Sequence, residues 1–134
     1  MGSRSQHISI GIDRPASDVY DFAADPLNLP QWAAGLAGAR LERDGELWST
    51  ESPMGRVTIA FAPRNDFGVL DHEVTLPTGE TVYNPLRVIR DGAGCEVVFT
   101  LRQRPAMTEE ELARDADAVT KDLATLKSLL ETKI

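Results

Sequence analysis

Residues 108–131 have the sequence TEEELARDADAVTKDLATLKSLLE, and the prediction of the fold starts from this segment. Its apolar side chains recur every three or four residues, which places them on one face of a helix of roughly six turns. They are Leu112, Ala116, Val119, Leu123, Leu126 and Leu130. Thr108 and Glu111 have the spacing of a capping box, which marks the start of the helix. The stretch therefore predicts one long amphipathic helix with a buried face and a solvated face.

The chain before this helix consists of short β-type runs and turns. Ile8, Ile10 and Ile12 alternate with other residues, which predicts a half-buried first strand. Two short helices follow, one beginning near Pro15 and one near Pro30. Six more strands are predicted at 38–43, 46–51, 57–61, 67–76, 81–90 and 95–102. Because the links between these strands are short, the strands are expected to run antiparallel.

A sheet with polar residues on one face must bury its other face, and only the C-terminal helix is long enough to cover it. The sequence therefore predicts an α+β protein with a seven-stranded curved antiparallel sheet wrapped around that helix. A coiled coil is the alternative for the apolar stripe, but the stripe lasts only about three heptads. No repeat or linker divides the chain, so residues 1–134 are predicted to form a single domain.

Composition excludes several classes of function. Twenty-one acidic and fourteen basic residues give a net charge of −7, and no basic stripe is present. Binding to nucleic acid or to an anionic membrane surface is therefore not expected. The single cysteine, Cys95, predicts no disulfide and a cytoplasmic location. With only His7 and His72 as further soft ligands, neither a metal site nor a cofactor is predicted. The sequence leaves open a homodimer and whether Met1-Gly2-Ser3 is native.

The segment after the first strand has a distinctive set of residues at fixed spacings. It contains Arg14-Pro15, Val19-Tyr20, Phe22, Asp25-Pro26, Asn28, Pro30 and Trp32. This opening resembles that of the START-like (SRPBCC) ligand-binding superfamily. The segments 68–72, 77–79 and 96–101 are similar to its bacterial polyketide cyclase/dehydrase-like subgroup. The resemblance implies a helix-grip fold that encloses a small hydrophobic ligand such as a lipid. Because the superfamily includes enzymes, carriers and receptors, the fold does not decide the function.

Strand alternation gives a candidate site on the concave face of the sheet. Leu70, His72 and Val74 share one face of their strand, so a histidine is expected on an otherwise apolar surface. Pockets that bind small molecules combine such apolar walls with a few polar groups. The predicted ligand-binding residues are Trp32, Trp48, Leu70, His72, Val74, Asn84, Leu86, Phe99, Leu101 and Ala116. The cavity is expected beneath Ala113 and Ala116, against the N-terminal half of the helix.

Each of these residues also has a simpler structural interpretation. His72 and Asn84 would then be core polar residues whose partners are backbone groups, and both tryptophans would be ordinary packing. A bulge at Pro85 would reverse the alternation of its strand. A dyad of Asp71 with His72 is disfavoured, since neighbouring residues of a strand point to opposite faces.

Three functions remain open from the sequence. The favoured one is a carrier or sensor for a small hydrophobic molecule, because His72 is the only titratable group with a clear inward position. The second is a cyclase, dehydrase or aldol-type enzyme, with His72 as general acid/base and Asn84 stabilising an enolate. The third is a module whose groove is covered by a protein partner.

Overall fold

The computed structural model describes residues 4–36, 38–53 and 55–132. In chain order its elements are β1 Ser5–Ile12, α1 Ala16–Ala24, α2 Leu29–Trp32, β2 Glu42–Asp44, β3 Leu47–Ser52, β4 Gly55–Phe61, β5 His72–Thr75, β6 Thr81–Asn84, β7 Leu86–Asp91, β8 Gly94–Arg102 and α3 Glu109–Thr132. Short 3₁₀ turns at Pro26–Asn28 and Ala34–Leu36 flank α2. Met1-Gly2-Ser3 lies outside the described residues.

The strands form two antiparallel sheets, so the prediction of one seven-stranded sheet was wrong. One sheet has the order β1–β8–β7 and the other has the order β2–β3–β4–β5–β6. The run 81–90 is divided at Pro85 into β6 and β7. Proline has no N–H to contribute to a sheet ladder, so a strand does not continue through it. The carbonyl of Pro85 accepts a hydrogen bond from the Thr100 N–H at 3.0 Å, which keeps this junction close to β8.

The run 67–76 is divided in the same region. Leu70 N–H donates to the Leu86 carbonyl at 2.8 Å, and Val88 N–H donates to the Gly68 carbonyl at 2.9 Å. Residues 68–70 therefore lie along β7, whereas β5 begins at His72 and pairs with β4 and β6. Asp71 is the residue at which the chain passes from one sheet to the other.

The side chain of Asp71 joins the two sheets at this corner. Asp71 is 6% exposed. It accepts hydrogen bonds from the Leu86 N–H at 3.0 Å and from Arg87 Nε and Nη2, both at 2.8 Å. The Tyr83 hydroxyl donates a further bond at 2.5 Å. The bonds from Arg87, with those from Tyr83 and Leu86, hold the pKa of Asp71 far below its usual range despite burial.

The C-terminal helix is the element that the sequence describes best. Thr108 N–H donates to Glu111 Oε1 at 2.9 Å and Glu111 N–H donates to Thr108 Oγ1 at 3.1 Å, so the predicted capping box is present. Four leucines of its apolar face are at most 2% exposed: Leu112, Leu123, Leu126 and Leu130. The helix packs against β1 and β8, which gives the α+β helix-grip arrangement. No helix among the described residues is long and apolar enough to cross a membrane.

Candidate ligand-binding cavity

A cavity of about 280 Å³ lies between the sheets and the two short helices. This volume is close to twice the roughly 150 Å³ of an engineered cavity that holds benzene. It is lined by Tyr20, Ala23, Ala24, Leu29, Trp32, Ala33, Leu36, Ile59, Phe61, Ala62, Arg64, Leu70, His72, Val74, Leu86, Phe99 and Asp122. Most of this surface is aliphatic or aromatic, and the polar side chains are few. The composition is that of a small-molecule site.

His72 is the polar group on the sheet side of the cavity. Its ring lies between those of Phe61 and Phe99, with centroid distances of 5.8 and 6.5 Å. Nδ1 is 3.1 Å from the Leu70 carbonyl oxygen, and because a carbonyl only accepts, Nδ1 carries the proton. Burial lowers the pKa of His72, so the ring is neutral at neutral pH. Nε2 therefore offers a lone pair, and it has no hydrogen-bond partner among the described residues.

Asp122 is a second titratable group in the cavity, on the helix side. Its Oδ1 accepts a hydrogen bond from the Ala34 N–H at 3.1 Å, which links α3 to the turn after α2. Burial raises the pKa of this carboxyl group, against the smaller effect of the Ala34 bond. His72 and Asp122 thus have pKa values displaced in opposite directions by the same apolar surroundings, and each displacement favours the neutral form.

Trp32 closes one wall of the cavity from α2. Its side chain is 7% exposed, and its Nε1–H is buried with no hydrogen-bond partner among the residues described. Buried donors of this kind are rare because each costs about 1–3 kcal/mol when it is unpaired. The buried Trp32 N–H therefore lowers the stability of the fold at this wall of the cavity.

Six of the residues predicted from strand alternation and the opening motif line this cavity: Trp32, Leu70, His72, Val74, Leu86 and Phe99. Four others are not in the lining: Trp48, Asn84, Leu101 and Ala116. Trp48 pairs with Ile59, and Asn84 pairs with His72, each one strand further from the cavity. Leu101 is buried two residues beyond Phe99 on β8.

The cavity also lies further along α3 than expected. It contacts the helix at Asp122, six residues and about 9 Å along the axis from Ala116. The expected position beneath Ala113 and Ala116 was therefore wrong. The reason is that α1 and α2, rather than the start of α3, close the side of the cavity opposite the sheets.

Eleven lining residues were missed by the sequence analysis: Tyr20, Ala23, Ala24, Leu29, Ala33, Leu36, Ile59, Phe61, Ala62, Arg64 and Asp122. Strand alternation predicts the orientation of side chains only within the sheets, so it gave no prediction for the side chains of α1 and α2. A weak signal was present in α1, where Ala23 and Ala24 follow Tyr20 and leave space beside a large ring. For Asp122, which flanks Leu123 on the edge of the apolar stripe, periodicity gives no signal.

No group of three or more histidine, cysteine, aspartate or glutamate side chains that could hold a metal ion occurs within the described residues. Cys95 is buried, and burial raises the pKa of its thiol. A thiol in such surroundings is a poor nucleophile. The few polar side chains of the cavity can supply hydrogen bonds and proton transfer.

Comparison with known families agrees with this arrangement. The model of the family described as "Polyketide cyclase / dehydrase and lipid transport" matches residues 5–131, and the chain belongs to this family. A comparison with curated proteins finds no match.

Several solved structures share the fold at low sequence identity. XoxI from Bacillus cereus is 13% identical, with a TM-score of 0.74 and 96% of each chain covered. DynU16, a protein of the dynemicin biosynthetic locus, is 14% identical with a TM-score of 0.73. The di-domain ARO/CYC protein BexL of the BE-7585A biosynthetic pathway is 19% identical with a TM-score of 0.70. The match covers 96% of this chain in both cases, but 47% of DynU16 and 46% of BexL.

Proposed function

We propose that this protein binds a small, largely apolar molecule in the cavity and acts as its carrier or sensor. The observation that supports the proposal most directly is an apolar cavity of about 280 Å³ whose lining includes Trp32 Nε1–H and His72 Nε2, neither of which has a hydrogen-bond partner among the described residues. Well-packed interiors have few voids larger than a water molecule, and the polar groups beside them are normally paired. A cavity kept open at this cost is typical of a binding site.

The polar groups of the cavity indicate what the ligand must offer. His72 Nε2 is an acceptor, so a hydroxyl or N–H of the ligand is its natural partner. The two phenyl rings of Phe61 and Phe99 beside it favour a flat apolar body, since aromatic groups pack well edge to face. A compact bicyclic phenol satisfies both requirements.

The test uses 2-naphthol as the probe and a pair of alanine substitutions. Ala33→Leu adds bulk to the cavity wall, whereas Ala118→Leu adds the same bulk to the exposed face of α3. Binding is followed by the fluorescence of Trp32 in a Trp48→Phe background. We expect saturable binding that Ala33→Leu weakens at least tenfold and Ala118→Leu leaves unchanged. Equal affinities for the two variants, or no saturation in the parent protein, would overturn the proposal.

A second candidate function is proton-transfer catalysis on a bound carbonyl compound. The observation that favours it is that His72 and Asp122 both line the cavity. Burial favours the neutral form of both groups, so a neutral imidazole base and a protonated carboxyl donor can occur in the same cavity. His72 Nε2 would take a proton from the carbon next to the carbonyl. Asp122, in the protonated form that burial favours, would donate a hydrogen bond to the enolate oxygen. Asn84, which the sequence suggested for that second role, is outside the lining.

This candidate has its own test. The compound 2-tetralone exchanges the hydrogens next to its carbonyl for deuterium, and NMR measures the exchange rate. We expect the protein to accelerate exchange and His72→Gln to abolish the acceleration while 2-naphthol still binds. If exchange in the presence of the protein equals that in buffer, the cavity is a binding site without this activity.

A further inference from the structure

A groove on the surface adjoins the cavity, and two residues belong to the lining of both. The groove is lined by the start of α1, the segment 64–68 and the end of β7. Tyr20 and Arg64 are the residues that line the groove and the cavity alike. They lie where the cavity and the groove adjoin, and we call this place the mouth of the cavity. The following argument rests on the proposed function, because it concerns a ligand of that same cavity.

Arg64 is the positively charged side chain of the described cavity lining, and it lies at this mouth. Its Nη2 donates to Asp21 Oδ1, and its guanidinium lies over the Tyr20 ring at 5.0 Å from the centroid. Nε and Nη1 make no hydrogen bond within the described chain. The side chains of Arg64 and Asp21 are 66% and 58% exposed, so their ion pair is solvated and contributes little stability. The guanidinium therefore lies at the mouth, over the Tyr20 ring, and its Nε and Nη1 donors are available to a ligand.

Tyr20 supplies a further donor at the same place. It is 7% exposed, and its hydroxyl oxygen accepts a hydrogen bond from the Asn65 N–H at 2.9 Å. An oxygen that accepts through a lone pair keeps its own O–H to donate, and no acceptor for it occurs among the described residues. A buried O–H without an acceptor is costly, which points to an acceptor that arrives with a ligand.

The loop that carries these groups is fixed by the side chain of Asn65. Its Nδ2 donates to the carbonyls of Pro63 and Val69, both at 2.9 Å. Its Oδ1 accepts from the N–H groups of Phe67 at 2.9 Å and Val69 at 3.1 Å. Every hydrogen-bonding position of this amide is used, so the loop is ordered before any ligand binds. Preorganised donors of this kind lose little entropy when they bind.

From this geometry we infer that the ligand is a hydrophobic carboxylic acid whose carboxylate binds at the mouth, on the guanidinium of Arg64 and the hydroxyl of Tyr20. A carboxylate has two oxygens and only accepts, so it matches a set of donors around one positive charge. Its apolar body would fill the cavity towards His72, and Asp21 would share or release Arg64. A neutral ligand would offer the guanidinium no charge and would leave its hydrogen bonds to Asp21 and water.

The charges around the mouth show which interactions can make a carboxylate bind better than a neutral ligand. Asp21 and Asp66 line the same groove as Arg64 and Arg90, so the groove has no large positive field. The net charge of −7 also opposes an anion at long range. The preference must therefore arise from short-range hydrogen bonds to Arg64 and Tyr20, and it should be insensitive to the remaining arginine of the groove.

The test compares 2-naphthoic acid with its uncharged counterpart 2-naphthylmethanol, by calorimetry at neutral pH. In the parent protein we expect the acid to bind about tenfold or more tightly than the alcohol. Arg64→Gln should remove this difference, because it should weaken the acid far more than the alcohol. Asp21→Asn, which frees Arg64 from its competitor, should strengthen binding of the acid alone. Arg90→Gln is the matched control, and it should change neither affinity.

The outcomes separate this inference from the proposed function. If the alcohol binds and the acid has no advantage, or if Arg64→Gln weakens both probes equally, the carboxylate site is wrong while the cavity remains a binding site. If neither probe binds, the proposed function itself fails. Arg64 is exposed, so Arg64→Gln will fold, and an unchanged melting temperature verifies this. Tyr20→Phe gives a second measure: it should weaken the acid more than the alcohol.

Discussion

Replacement of Asp71 by alanine tests the structural account of the corner between the two sheets. The substitution leaves the Leu86 N–H without an acceptor, and Leu86 is 3% exposed, so water cannot replace the lost bond. An unpaired buried donor costs about 1–3 kcal/mol. Arg87 and Tyr83 are 48% and 52% exposed and regain water, so their bonds add only about 0–1 kcal/mol. We expect Asp71→Ala to lower the free energy of unfolding by about 1–4 kcal/mol, which at its upper end is a large part of a domain's stability.

Urea unfolding of the purified protein measures this loss, with two variants as controls. Asp71→Asn keeps an acceptor for the Leu86 N–H and should lose less, and Arg87→Gln should lose less than about 1 kcal/mol because Arg87 is solvated. The pKa of Asp71 is lowered in the folded state, so its contribution is present above its ordinary value of 3.8 and disappears as the pH falls through the folded-state value. A cost below about 0.5 kcal/mol for Asp71→Ala, or a cost equal to that of Arg87→Gln, would refute the reasoning.

Three further predictions follow from particular side chains. Gly68→Ala should unfold the protein or cost several kcal/mol in urea unfolding, because its Cβ would lie 2.2 Å from the Val88 carbonyl oxygen. Gly79→Ala is the control: Gly79 also has a positive φ but lies in open space, so this variant should cost only about 1–2 kcal/mol. Asp122→Asn should raise the melting temperature at neutral pH, since it removes a carboxylate that burial disfavours, and the gain should vanish as acid protonates Asp122. The His72→Phe variant should be more stable than the parent below pH 6.5, because His72 has a lower pKa in the folded state and acid therefore protonates, and stabilises, the unfolded parent first. A stability difference that does not depend on pH would contradict this.

The parts of the fold that could be predicted from the sequence are those set by local pattern. The helix expected at 108–131 is observed at Glu109–Thr132, with its capping box, because both periodicity and cap are encoded within a few residues. The predicted hairpin near Asp44-Gly45 is also present, although the pair Asp44 and Leu47 closes it around the turn Gly45-Glu46. A positive φ of 66° at Gly45 explains why glycine is needed there.

The parts that could not be predicted depend on contacts between distant segments. The separation into two sheets follows from Pro85 together with Asp71, a residue fourteen positions earlier whose carboxylate accepts from Leu86. Strand alternation within 67–76 nevertheless placed His72 on the inner side, since the reversal expected from a bulge at Pro85 does not affect β5. The side of the cavity formed by α1, α2 and Asp122 has no counterpart in any local pattern, because it is created only when α3 packs across the sheet.

Asp71 and His72 are neighbours in sequence, and their hydrogen bonding shows how one short segment serves both stability and the site. Asp71 on the outer side has partners for both carboxylate oxygens. His72 on the inner side has a partner for Nδ1 but none among the described residues for Nε2. An apolar side chain between Phe61 and Phe99 would avoid the cost of desolvating an imidazole. The imidazole of His72, the carboxyl group of Asp122 and the Trp32 N–H, which has no partner among the described residues, all line the cavity and lower the stability of the fold. Asp71, on the other face, stabilises the fold through its hydrogen bonds. That asymmetry is the physical reason to interpret the cavity as a binding site and not as a packing defect.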